Sequence, residues 1–370
     1  MISKERVLRT FLEYVRIDSE THHEKAITER LVADLRALGL EVYTDQVGKV
    51  PEVDSDGANI YCFLEGEPGS DPILFSSHMD TVTPGKGIAP YVEKGYVKTR
   101  GDTVLGADDK SGVAAIMEAL RSLIESGVPH RPVEVIFTIR EEGGLMGSAN
   151  LEYDRVRSKY GVVLDASNDI GKIVTSAPGQ IRLYADIYGK RSHAGSDPEK
   201  GVSAIQAAAV AVSRMKLQRV DEETTANIGT LSCIGATNVV QDHASFAAEA
   251  RSRNQEKLEA QQDHMVQCLK DACEEYGARL EYHTEQSYHS YSFPDDHPLV
   301  QLLMEKCRAI GVEPWTTYTG GGTDGNNFNH HGIETVVLAC GMELEHTTEE
   351  RIRIQNLEDA ARLVFNIMKI

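Results

Sequence analysis

Pro72-Ile73-Leu74-Phe75-Ser76-Ser77-His78-Met79-Asp80-Thr81 is an apolar run that ends in a histidine and, two residues later, a carboxylate. Side chains of an extended run alternate between faces, so His78 and Asp80 fall on the same side. That pairing suits a metal-bound imidazole whose second nitrogen is held by a carboxylate. From these residues alone, a strand end with a satisfied histidine and a turn-capping aspartate reads as well.

Outward from this run, short extended stretches alternate with helical stripes. Val7, Leu8, Phe11, Leu12 and Val15, then Ile27, Leu31, Leu35 and Leu38, recur at helical spacing and predict two amphipathic helices, the second ended by Gly39. Val113, Ile116, Met117, Leu120, Leu123 and Ile124 predict one apolar stripe on a helix that starts near Lys110. Residues 59–63, 133–139 and 162–164 predict further strands, the latter two β-branched and buried. Strands alternating with helices give an α/β layer architecture, with ligands near the strand ends.

The pattern changes after residue 177. Strand (181–188), helix (202–215), strand (227–233), strand (244–250), helix (255–276) and strand (279–283) follow in the β-α-β-β-α-β order of a ferredoxin-like α+β unit. Helix-and-strand units around the apolar run 334–339 return at the C-terminus. The expected division is a discontinuous first domain, 1–176 with 289–370, and an inserted domain, 177–288.

The 370 residues are 41% apolar, enough to fill two cores. With 38 basic and 57 acidic residues the formal charge is −19, which argues against nucleic acid or an anionic membrane as a main partner. Met1-Ile2-Ser3-Lys4-Glu5-Arg6 lacks the apolar core of a secretory signal behind it, and no stretch has the length of a bilayer span. Cys62, Cys233, Cys268, Cys273, Cys307 and Cys340 form no CxxC pair and read as reduced thiols of a cytoplasmic protein.

Further acids and a second histidine fall at expected strand ends or in the loops that follow. Gly106-Ala107-Asp108-Asp109-Lys110-Ser111-Gly112 precedes the striped helix, so its carboxylates lie at a positive helix end. Capping accounts for one aspartate, and the other is free to bind a cation. Glu141-Glu142-Gly143-Gly144 follows the run 133–139. Adjacent glutamates repel and splay into solvent unless a cation holds them. With a divalent metal nearby, one ligates and the other takes a proton from the attacking water. Asp165 closes the run 162–164, where a turn-forming aspartate is the plain alternative. His346, in Glu345-His346-Thr347-Thr348-Glu349-Glu350, lies in a polar loop, where a lone histidine reads as surface. Of these residues His78, Asp108, Glu142, Asp165 and His346 offer two imidazoles and three carboxylates. Such a mixed set suits two divalent ions, zinc first and manganese or cobalt as substitutes, bridged by a carboxylate.

The series His78-Met79-Asp80-Thr81, Gly106 to Gly112, Glu141-Glu142-Gly143, Asp165, Ser192-His193-Ala194-Gly195 and His346-Thr347 resembles the co-catalytic metallopeptidases. That family includes peptidase T (tripeptide aminopeptidase), glutamate carboxypeptidase, acetylornithine deacetylase and succinyl-diaminopimelate desuccinylase. The likeness spans essentially the whole chain. It implies an α/β zinc-peptidase catalytic domain with a mixed sheet flanked by helices, with His78 and Asp165 on one metal, Glu142 and His346 on the other, and Asp108 bridging. It also implies that Asp80 orients His78, that Glu141 is the general base, and that a cis peptide follows Asp108.

In the inserted domain, which the likeness makes a lid and dimerisation element, His193 of a homodimer would reach the partner's site and stabilise the oxyanion. Asn238 and Arg251 would hold substrate oxygens, Arg253 being the neighbour most easily confused with Arg251. Thr319-Gly320-Gly321-Gly322-Thr323-Asp324-Gly325 lacks phosphate-loop spacing, and the resemblance implies a flexible loop whose backbone donors, Gly322 included, approach the substrate. His22, His23, His297, His330 and His331 match no family motif and are expected as loop or cap residues.

The expected activity is dimetal hydrolysis of short peptides, with the Glu-Glu-Gly-Gly run and the glycine loop leaning to the peptidase T branch. A carboxypeptidase or an N-acyl-amino-acid amidohydrolase would use the same metals with a different grip on the substrate. A catalytically silent metal-binding dimer is the alternative of another class, and the intact Glu141 speaks against it.

Overall fold

The computed structural model describes residues 2–370 and divides into two compact units. One comprises residues up to 176, with 292–319 and 323–370; the other comprises 177–291 and 320–322. The glycines 320–322, which the sequence leaves in the first domain, thus group with the second unit.

The main sheet of the first unit has the order Val42–Thr44, Ile60–Leu64, Val133–Thr138, Ile73–His78, Tyr160–Ala166, Glu334–Ala339 and Lys172–Ala177. Trp315–Tyr318 pairs with the last of these. Four neighbours, Val133–Thr138, Ile73–His78, Tyr160–Ala166 and Glu334–Ala339, run parallel. Parallel strands survive where both faces are covered, and Ile73–His78 and Val133–Thr138 are buried along their whole length. Their carboxyl ends share one rim, the position at which open α/β sheets take ligands.

The helices Lys4–Val15 and Lys25–Ala37 bury Val7, Phe11 and Val15, then Ile27, Leu31 and Leu35, as the spacing predicts. Ala107–Ser126 departs from the expected stripe. It is buried on every side from Ala107 to Leu120, while Ile124 is 38% exposed. The cause is its setting: it packs against Ile73–His78, Lys4–Val15 and Ile354–Met368 together, which leaves its first three turns no solvent face. Val42–Thr44, Lys172–Ala177 and Trp315–Tyr318 are strands that the apolar pattern does not announce. A small sheet of Met342–Glu343, Arg351–Arg353, Tyr96–Lys98 and Tyr91–Glu93 is likewise unannounced.

The second unit runs Gly179–Tyr188, Ala204–Arg214, Thr224–Ser232, His243–Ser252, Gln255–Tyr276 and Arg279–Tyr288. Its antiparallel sheet is ordered Gln218–Arg219, Thr224–Ser232, His243–Ser252, Gly179–Tyr188, Arg279–Tyr288, the ferredoxin-like arrangement with the first and third long strands inside. Ile181, Leu183, Ala185 and Ile187 alternate inward beside Ala244, Phe246, Ala248 and Ala250, and Leu258, Met265 and Leu269 pack over them. Among the described residues no helix is long and apolar enough to cross a membrane.

Candidate metal centre

His78 is the last residue of its strand and is buried. Its Nδ1 lies 3.0 Å from the Asp80 carbonyl oxygen and 3.4 Å from Asp80 Oδ1, which holds a proton on Nδ1 and directs Nε2 outward. Nε2 lies 3.0 Å from Asp108 Oδ1 and 3.6 Å from Asp165 Oδ1. Asp165 sits at a break in register: Leu164 pairs with Leu338 but Ala166 pairs with Ala339. Such a bulge frees one residue from the ladder and re-aims its side chain, here towards His78.

The two aspartates of the next motif separate cleanly. The Asp108–Asp109 peptide is cis, neither residue has helical dihedrals, and neither side chain caps the helix, against the capping expected from the sequence. The Asp109 carboxylate turns into the protein and accepts from the Ser77 hydroxyl and, at 3.5 Å, the Cys340 thiol. Asp108 turns the other way and sets Oδ1 on His78 and Oδ2 3.2 Å from His346 Nε2. The approach to Asp108 is held by Glu350, whose carboxylate accepts the amides of Leu105, Gly106 and Asp108 at 2.6, 2.7 and 2.9 Å.

Glu141 and Glu142 do not splay into solvent. The Asp80 carboxylate accepts the Glu141 amide on Oδ1 at 3.0 Å, and on Oδ2 the Glu142 amide at 3.2 Å and the Thr21 hydroxyl at 2.8 Å. Asp80 therefore supports the glutamate pair as well as His78. Glu142 Oε1 reaches His346 Nε2 at 2.8 Å, and His346 adopts a left-handed φ of 61° to meet it. Behind the pair, the Thr138 and Ser148 hydroxyls donate to the two oxygens of buried Asp324.

Among the described residues three groups have ligand atoms within 4.8 Å of one another: His78 with Asp108 and Asp165, Asp108 with Glu142 and His346, and His78 with Glu141 and Glu142. Asp108 belongs to two of them, so the five expected ligands meet as two triads that share one carboxylate. The donor chemistry fits divalent cations. Burial, reinforced by the charges of Asp108 and Glu142 and opposed by His78, pushes Asp165 up to about 7. Burial and the charge of Asp165 push Glu141 well above the usual carboxylate range. Hydrogen bonds donated to the Asp108 and Glu142 carboxylates raise His346 to about 11. Burial opposes ionisation of Asp108 too, but His346 and His78 hold it below its ordinary value. Carboxylates packed this closely favour added positive charge, which divalent cations would supply.

The remaining candidates lie in the second unit. His193 is exposed, and its Nδ1 accepts the amides of Gly195 and Ser196, both at 3.1 Å. The proton is thereby placed on Nε2. Asn238 lies next to it, since Ala194 N donates to the Asn238 carbonyl at 2.9 Å and Ser192–His193 pairs with Val239–Val240. Arg251 spends Nε and Nη2 on Glu249 at 2.9 and 3.2 Å, and Arg253 Nη2 reaches the Glu222 carbonyl at 3.3 Å. Gly322 is glycine for packing: a Cβ there would lie 2.4 Å from the Tyr288 ring. His297 and His331 are helix caps, as expected, and His331 stacks on Tyr153. Thr21, Glu24, Asp324 and Glu350 support the site from positions that show no local pattern in the sequence.

A sequence profile described as Peptidase family M20/M25/M40 matches residues 74–370. The Bacillus subtilis (strain 168) protein YqjE is 42% identical over 370 residues, covering 100% of this chain and 99% of that protein. The crystal structure of aminopeptidase PepT from Bacillus cereus ATCC 10987 superposes with a TM-score of 0.94 at 42% identity, covering 99% of this chain and 98% of that one. That of a tripeptidase from Staphylococcus aureus subsp. aureus Mu50 gives 0.95 at 41% identity, covering 100% and 98%.

Proposed function

The chain belongs to peptidase family M20/M25/M40 and is a peptide-bond hydrolase, and on that premise we propose that it is a dimetal tripeptidase releasing the N-terminal residue of short peptides. The observation that carries this reading is Asp108, whose two oxygens lie 3.0 and 3.2 Å from two different imidazoles, with Glu141 buried beside them. His78 and Asp165 would hold one ion and Glu142 and His346 the other, with Asp108 between them and zinc the first choice for this nitrogen and oxygen set. When bound, the ions polarise the scissile carbonyl and make water acidic enough to attack at neutral pH.

The residues do the rest. Glu141 accepts the proton that the attacking water loses as its oxygen bonds to the carbonyl carbon, and returns it to the amine as the C–N bond breaks. Asp80 fixes the orientation of His78 and, through two amides, of the glutamate pair. His193 of a second copy is read as the oxyanion donor, because its Nδ1 is occupied as an acceptor and its Nε2–H is free to donate. Asn238, on the same ribbon, is read as a contact to substrate oxygen.

Aminopeptidase action is preferred to carboxypeptidase action because Arg251, the candidate grip for a C-terminal carboxylate, already has two nitrogens on Glu249. A cytoplasmic site of action belongs to the same proposal and is supported by six unpaired cysteines.

The test is metal analysis with hydrolysis of tripeptides blocked at either end. Two ions per chain and loss of activity only on N-blocked peptides are expected. Loss only on C-blocked peptides would sink the aminopeptidase assignment. Glu141→Gln should keep both ions and lose about 10²–10⁴ in kcat.

A further inference from the structure

The segment from Ser19 to Glu24 supplies no proposed ligand and no reacting group, yet it grips two of the strand ends that do. The Ser19 carbonyl accepts the Thr81 amide and its hydroxyl donates to the Met79 carbonyl, each at 2.9 Å. The Thr21 amide donates to the Thr81 carbonyl at 3.1 Å and its hydroxyl to Asp80 Oδ2 at 2.8 Å. His22 Nδ1 lies 2.6 Å from the Asp54 carbonyl and so bears the proton, which leaves Nε2 to accept from Arg140 Nη1 at 2.8 Å. Glu24 accepts the Arg140 amide on Oε1 at 3.1 Å and the Ser55 hydroxyl on Oε2 at 2.5 Å.

Arg140 is the joint between the strand Val133–Thr138 and the glutamate pair, and it has a left-handed φ of 56°. A residue with a side chain stays there only where its surroundings over-determine it. Here they do. Four successive amides, from Ile139 to Glu142, are accepted by three buried side chains: Asn59 at 3.0 Å, Glu24 at 3.1 Å and Asp80 at 3.0 and 3.2 Å. The Arg140 guanidinium fills the space over Gly143, where a Cβ would lie 2.4 Å from Nη1. Glu24 precedes the helix Lys25–Ala37 but makes no side-chain cap bond to it, so capping does not account for its carboxylate.

We propose that Glu24 and Thr21 are positioning residues of the peptidase reaction: through the Arg140 amide and the Asp80 carboxylate they fix where Glu141 and Glu142 point. This rests on the reading of Glu141 as base and Glu142 as ligand. The physical need is plain, since two adjacent carboxylates at a strand end repel, and a misplacement of about 1 Å is worth about 100-fold in rate.

The test uses the full chain loaded with zinc, with kcat and KM for a tripeptide measured well below each variant's melting temperature. Glu24→Gln keeps an oxygen acceptor for the Arg140 amide and should hold kcat within about threefold, whereas Glu24→Ala should lose about 10–100-fold with KM little changed. Thr21→Val, which removes only the hydroxyl, should lower kcat with an unchanged melting temperature. In cobalt titrations of the metal-stripped chain, Glu24→Ala should weaken one of the two ions. Equal losses for Glu24→Ala and Glu24→Gln, or wild-type kcat and cobalt binding in both Glu24→Ala and Thr21→Val, would overturn the proposal. If Glu24→Ala does not fold, the Thr21→Val result decides. Glu141→Gln is run in parallel: full activity there sinks the base assignment and is read separately from the Glu24 comparison.

Discussion

Glu24 also makes a prediction that does not involve catalysis. Burial, reinforced by the charge of Asp80, pushes its carboxyl from 4.5 to about 7. The unfolded chain releases this proton near 4.5 and the folded chain near 7, so the folded state binds more protons across that window. The contribution of Glu24 to stability therefore falls as pH rises through the window and is lowest above it. Glu24→Gln has no proton to lose there. Relative to wild type it should gain stability between pH 5 and pH 8, by at most about 3 kcal/mol for a shift of about 2.5 units. The groups common to both proteins cancel in the difference. Melting temperatures of the two proteins across this range check it, and a difference that stays flat with pH would show that Glu24 is ionised at its ordinary value.

At the scale of elements, the site depends on how closely the helix Ala107–Ser126 lies on the sheet. A Cβ on Gly112 would meet the Leu164 carbonyl at 2.5 Å, Asp109 Oδ1 at 2.7 Å and Ser77 Oγ at 2.8 Å. Gly112→Ala should therefore push the helix from the strand Tyr160–Ala166, cost about 1–3 kcal/mol, and weaken metal binding through Asp108 and Asp165 together. Thermal unfolding and cobalt titration measure the two effects, and an unchanged melting temperature would show that the helix has slack.

The same packing separates what the sequence announces from what it hides. The strand ending at His78 was legible because an apolar run meets a polar end, and the ferredoxin-like order because its strands alternate inward and outward. Lys172–Ala177 hides because Thr175 and Ser176 interrupt its apolar run, and Val42–Thr44 because three residues form no pattern. Ligands at strand ends carry a local signal. Glu24, Thr21, Asp324 and Glu350 do not, since each acts on a chain segment far away in sequence: Glu350 on the Asp108 amide, Glu24 on that of Arg140.

At the scale of the molecule, the sheet of the second unit has two edges that differ in how they meet solvent. Arg279–Tyr288 carries Arg279, Glu281 and Glu285, charges that discourage strand pairing. On the opposite edge, Gln218–Arg219 covers only Thr225 and Ala226, and from Asn227 to Ser232 the edge has no charge. Leu231 there is 44% exposed, opposite Phe246 and so on the helix-bearing face, and Ile234 just beyond is 91% exposed. An uncharged edge beside exposed apolar side chains suits pairing with the same edge of a second copy, the self-complementary contact of a two-fold dimer. If two copies pair through this edge, the wild-type chain should sediment at about twice 40.7 kDa and Leu231→Lys near 40.7 kDa. If His193 of the second copy is the oxyanion donor, the separated chain should keep its metals and its KM order while kcat falls by about 10²–10³. A monomeric variant with full activity would remove His193 from the mechanism, and a variant that stays dimeric would move the interface to another surface. A monomer that loses kcat and regains it when mixed with a Glu141→Gln chain would place the donor and the base on different subunits.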